Sequence, residues 1–105
     1  MSEFKGTPGP WEAVSNERYW EIREETGQIA DLGASQFWFD GGDMNGPVTT
    51  ANAQLIAASP ELLEACLRAR NQFYAAGYEP KAGSMNPTEC LLAQLIAAIS
   101  KATGE

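Results

Sequence analysis

The residues with the most chemical potential in this chain are an arginine set among aromatic side chains and a nearby glycine-rich loop. Along Arg18 to Glu24, Tyr19, Glu21 and Arg23 alternate with Trp20 and Ile22, so on a strand the two sets face opposite ways. Along Gln36 to Asp40, Phe37 and Phe39 share one face while Trp38 and Asp40 share the other. Whichever face is buried, at least one large aromatic of this second stretch stays on the outside. Exposed aromatics beside an arginine can stack on a planar ligand while the cation holds an anionic group. Tyr19, Arg23 and Trp38, with the loop that follows, therefore form a candidate binding face for a small molecule or a partner. The plainer reading covers Tyr19 and Trp38 with the N-terminal segment or with a second copy of the chain. A homodimer satisfies both readings.

The loop contributes Asp40, Gly41, Gly42 and Asp43. Glycines let a backbone approach a phosphate closely, but the stretch matches no dinucleotide or P-loop pattern and lacks the lysine of the latter. Asp40 and Asp43 could pair around a metal or act as acid and base. With no third ligand in sight they read better as turn residues. Arg70 falls close to an apolar helical stripe, from which its planar donors could reach an interface or a pocket. The bland alternative lays its methylenes on the core edge and keeps its head in water.

Composition removes whole classes of chemistry. There is no histidine among the 105 residues, which excludes histidine bases, Ser-His-Asp and Cys-His arrangements and histidine metal sites. No nucleophile–base pair remains in view, so neither an enzyme nor a cofactor is expected. Seven Lys and Arg stand against fourteen Asp and Glu, a formal net charge of −7, whereas a protein that binds nucleic acid directly needs a basic footprint. Glu21, Glu24 and Glu25 read as a solvated hairpin end, or as carboxylates standing in for phosphates in a partner's groove. Cys66 and Cys90 are too few for a disulfide scaffold and read as small buried residues in a reducing cytoplasm. No apolar run reaches a membrane span, and Met1 to Pro10 lacks a signal-peptide core. A chain this small hides a modest share of its surface, so self-association into a homo-oligomer is expected.

The elements that position these residues divide the chain in two. Residues 1–10 form an N-terminal arm ending in the stiff Thr7-Pro8-Gly9-Pro10. Residues 11–40 carry strand chemistry in Trp11 to Val14, Arg18 to Glu24, Gln28 to Leu32 and Gln36 to Asp40, an antiparallel meander of three or four strands. Residues 41–49 are the glycine-rich loop. From residue 50 to 103 the period is helical, with Leu55, Ile56, Leu62, Leu63, Cys66, Leu67, Phe73 and Tyr74 near one face. Ala51 to Ala58 is expected as a short helix, and Ser59-Pro60-Glu61 starts a longer one with Ser59 as N-cap. Gly77 closes it. Asn86-Pro87-Thr88-Glu89 starts the last helix, whose stripe is Leu92, Leu95, Ile96 and Ile99. The fold expected is α+β in a single domain, the meander followed by a helical hairpin packed on one of its faces.

Three stretches carry a resemblance: Thr7-Pro8-Gly9-Pro10-Trp11, the run from Ala51 through Ser59-Pro60-Glu61 to Ala65, and Ala97-Ala98-Ile99-Ser100-Lys101-Ala102-Thr103-Gly104. In this order they resemble small phage and prophage accessory proteins that share a "GPW" start, an "ANARLIAAAPELLEAL" helix and an "AIAKATG" end. Here Gln54 stands where arginine is common and Ser59 where alanine is. The resemblance implies expression in the cytoplasm of a bacterial host. The middle motif reads mainly as scaffold, with Asn52 placed for a backbone-capping hydrogen bond. Small phage proteins of this kind often bind something that host defence needs. Two functions are therefore expected: sequestration of a nucleotide-derived immune signal by the aromatic and arginine site, or acidic inhibition of a host defence or nucleic-acid-processing complex. The resemblance puts sequestration first.

Overall fold

In a computed structural model, which describes residues 4–15, 19–32, 46–81, 83 and 85–105, the alternation of the first half becomes a three-stranded antiparallel sheet. Its strands are β1 (Glu12–Ser15), β2 (Trp20–Glu24) and β3 (Gly27–Leu32), in the spatial order β1-β2-β3. Three helices follow, α1 (Pro47–Ala57), α2 (Ser59–Ala75) and α3 (Pro87–Thr103), so the fold is α+β. The fourth strand expected at Gln36–Asp40, and the loop after it up to residue 45, lie outside the described residues. These residues form two compact units, Thr7–Glu61 and Leu62–Glu105 with Met1–Gly6, and each is taken by itself.

In the first unit the two faces of β2 separate as the sequence implies. Ile22 is fully buried and Arg23 is exposed. Ala13 of β1 and Ala30 of β3 pair with Ile22, and Leu32 pairs with Trp20. Complete burial of a side chain the size of Ile22 is worth roughly 1.5–3 kcal/mol. A bulge interrupts the β2–β3 ladder. Ile22 pairs with Ala30 but Arg23 pairs with Gln28, leaving Ile29 as the extra residue, and the Gln28 side chain donates to the Ala30 carbonyl across it at 3.4 Å. Bulges of this sort twist a strand locally and re-aim the side chains beside them. At the β2–β3 turn the Glu24 carboxylate accepts hydrogen bonds from both the backbone N–H and the hydroxyl of Thr26. Glu24 is thus held by the turn and is not simply a solvated hairpin charge.

Helix α1 lies against β1 and β2 and begins earlier than the expected residue 51. Gly46 is its N-cap in extended conformation, Pro47 is its first residue, and the Gly46 carbonyl accepts from Thr50 N–H at 3.0 Å. Pro47 suits that first position because its missing N–H would have had no helical partner. Thr49 and Ala53 are both fully buried, so packing overrides the poor helix propensity of Val48-Thr49-Thr50. The expected apolar face is corrected at three positions, Leu55 of α1 (62% exposed) and Leu62 and Tyr74 of α2 (49% each). Small side chains, Thr49 and Ala53, occupy the buried stripe of α1, and Leu55 is turned away from it. Asn52 sits inside α1, and its side chain has no hydrogen bond among the described residues, so it caps nothing there.

Ser59 is not an N-cap. Ala58 keeps a right-handed helical conformation (φ −82°, ψ −5°), so the chain barely leaves the helix, and the Ser59 hydroxyl donates back to the Leu55 carbonyl at 3.1 Å. Pro60, having no N–H, interrupts the ladder and separates α1 from α2.

The second unit has well-formed helix ends. Gly77 takes φ +90°, its N–H donates to the Tyr74 carbonyl and that of Tyr78 to the Phe73 carbonyl, both at 3.0 Å. That pair of bonds defines a Schellman motif, and its accompanying apolar contact is the edge-on packing of Phe73 and Tyr78, centroids 6.1 Å apart. The Asn86 side chain caps α3 by accepting from Thr88 N–H at 2.9 Å, and Gly104 closes it at φ +77°. Leu92 and Ile99, two helical turns apart, are the buried residues of α3.

Candidate functional site

The N-terminal arm brings one aromatic to the edge of the sheet. Gly9 rests against Pro60, the Gly9–Pro10 peptide is cis, and the Trp11 indole N–H donates to the Thr7 carbonyl at 3.2 Å. These contacts fix Trp11 immediately before β1. Beside it a cleft of about 410 Å³ opens on the exposed face of β1 and β2, walled by Pro10, Trp11 and Val14. Its polar lining is Arg23 with Glu12, Glu24 and Glu25. Glu12 stands directly across the ladder from Arg23, yet Arg23 forms no ion pair among the described residues.

A second cleft, about 440 Å³, lies between β1 and the end of α1. Ala13, Ala57 and Ala58 form its apolar floor, Gln54 supplies an amide, and Glu61 a carboxylate. Trp11 and Glu12 wall this cleft as well as the first.

Of the sequence candidates, Arg23 lines a cleft, the one that Trp11 also lines. Tyr19 precedes β2, is half-buried and lines neither cleft. Arg70 belongs to the helical unit and does not keep its head in water. It is 9% exposed, and its Nε and Nη2 both donate to Asn71 Oδ1 at 3.2 Å. Trp38, Asp40, Gly41, Gly42 and Asp43 lie outside the described residues. Trp11 had no place in the expected site. The signal that points to it is local: a tryptophan following a Gly-Pro turn and preceding the strand whose Glu12 opposes Arg23.

Among the described residues no group of three or more His, Cys, Asp or Glu could hold a metal. No described helix is long and apolar enough to cross a membrane. The family model described as Salmonella phage P22 protein Y8K6 matches residues 1–105, the whole of the chain. The chain belongs to that phage family. This agrees with the expected resemblance to small phage proteins, and it makes this a small phage protein. No curated protein and no solved structure matched the chain.

Proposed function

We propose that this phage protein works without catalysis, as an acidic inhibitor that docks on a basic surface of a host defence or nucleic-acid-processing complex. The observation that carries the reading is the lining of the Trp11 cleft, where three carboxylates share the cleft with a single guanidinium. A phosphate brought to Arg23 would also be brought to Glu12, Glu24 and Glu25, whereas a lysine- or arginine-rich surface meets attraction from all three. The net charge of −7 steers in the same direction at long range. Trp11 and Pro10 supply the apolar anchor that such an interface needs at its centre. Self-association belongs to the same proposal, and is supported by the exposed Leu62, Tyr74, Met85 and Leu91 of the helical unit.

Sequestration of a nucleotide signal is the competing proposal, and one observation favours it: Arg23 has no ion-pair partner among the described residues and lines a cleft with Trp11.

One set of variants separates the two. Tagged wild type, the double variant Glu12→Lys/Glu25→Lys and Arg23→Ala are used to capture partners from host lysate across a salt series. Thermal unfolding of the same three proteins is followed with cyclic nucleotides and ADP-ribose derivatives. An inhibitor loses its partner on charge reversal and in high salt, and keeps it in Arg23→Ala. A nucleotide that raises the unfolding midpoint of wild type, but not of Arg23→Ala, overturns the inhibitor reading in favour of sequestration. Native mass spectrometry of the wild type counts the chains.

A further inference from the structure

The middle motif of the chain reads as scaffold, yet together with the N-terminal motif it provides five of the seven residues that line the β1–α1 cleft: Trp11, Gln54, Ala57, Ala58 and Glu61. The lining has a definite chemical character. Three alanines give a shallow, solvent-open recess an apolar floor, and an indole borders it. Two carboxylates, Glu12 and Glu61, stand at the cleft and no basic residue lines it. The sheet-face cleft differs on this last point, because Arg23 offsets part of its negative charge.

We infer that this open β1–α1 recess receives a single arginine side chain of a protein partner. The inference rests on the proposed docking to a basic surface and names the side chain that anchors it. An arginine matches every part of the lining. Its methylene stem covers the alanine floor, and its planar guanidinium stacks on Trp11. Its donors, arranged as a fork, serve the carboxylates of Glu12 and Glu61 and the carbonyl of Gln54. An anion is repelled by both carboxylates, and a neutral planar group leaves them without a partner. Lysine is a poorer fit, since a compact ammonium neither stacks on an indole nor reaches two carboxylates with fixed geometry.

The test uses the full chain, isotope-labelled, with acetyl-arginine amide as the probe. The expected result is saturable movement of the Trp11 indole and Gln54 side-chain amide signals. Acetyl-citrulline amide, the neutral counterpart, binds roughly tenfold more weakly because it lacks the charge-assisted bonds. Glu61→Gln, a change at an exposed residue, weakens arginine binding severalfold, and Ala57→Leu abolishes it by filling the floor. If Ala57→Leu fails to fold, Glu61→Gln carries the test alone. Citrulline binding as tightly as arginine, or acetyl-lysine amide binding more tightly, overturns the inference. Movement confined to Val14 and Glu24 also overturns it, while leaving the docking proposal intact. Conversely, arginine filling this cleft while charge reversal leaves partner capture unchanged would sink the docking proposal and spare the pocket.

Discussion

Gly9 and Pro60 touch so closely that a β-carbon on Gly9 would lie 2.7 Å from the Pro60 Cβ and 3.2 Å from its Cγ. The contact joins the arm that carries Trp11 to the junction of α1 and α2, and both ends of it fall within the stretches that carry the phage resemblance. It explains why a glycine stands between two prolines in the arm, where flexibility is otherwise low.

Replacing Gly9 with alanine forces either the arm or Pro60 to move. The expected loss is about 1–3 kcal/mol, the range for overpacking a filled contact. Gly27→Ala is the control, because nothing lies within 4 Å of a β-carbon there and its φ is not positive. Urea unfolding should show a lowered midpoint for Gly9→Ala and one close to wild type for Gly27→Ala.

Gly77→Ala tests the end of α2. Its φ of +90° places a side chain in a region that L-residues rarely occupy, so a loss of roughly 1 kcal/mol is expected. Gly77→Asn should lose less, since asparagine tolerates left-handed backbone better. Thermal unfolding of the two variants side by side gives the order.

Asn86→Ala removes the side chain that accepts from Thr88 N–H and should cost about 1 kcal/mol. Asn86→Ser, which keeps an acceptor, should recover most of it. Amide hydrogen exchange in the first turn of α3 reads the effect locally, with faster exchange at Thr88 in the alanine variant.

Leu91 and Leu92 are neighbours with opposite surroundings, 51% and 0% exposed. Leu92→Ala should cost about 2–5 kcal/mol by leaving a cavity, and Leu91→Ala well under 1 kcal/mol. Equal losses would mean that Leu91 is covered in solution, a direct sign of self-association, and a shift of the Leu91→Ala midpoint with protein concentration would confirm it.

Local chemistry was the legible part of this chain. The alternation around Ile22 and Arg23 sorted the two faces of β2, Gly77 and Asn86-Pro87 marked helix ends, and the three- and four-residue steps from Leu92 to Ile99 marked the buried line of α3. What failed was anything decided by a neighbour distant in sequence. Thr49 looks like loop or strand until the sheet buries it. Leu55 looks like core until Thr49 and Ala53 take the face that meets the sheet. Ser59 looks like a cap because its type and the following proline fit one, but Ala58 stays helical and turns the hydroxyl into a donor. The site divides the same way. Arg23 was visible from alternation alone, whereas the cleft beside Trp11 is completed by Gln54, Ala57 and Glu61, which lie far along the chain.

Trp11 and Glu12 line both clefts, so an occupant of one that turns the ring or neutralises the carboxylate would change the lining of the other. A cation drawn to Glu12 from the α1 side neutralises a charge that also faces Arg23, and a ring turned toward one ligand is withdrawn from the second. By thermodynamic reciprocity each occupant then alters the affinity of the other by the same factor. A partner engaging both recesses would meet the same two side chains twice, so its two contacts would not be independent.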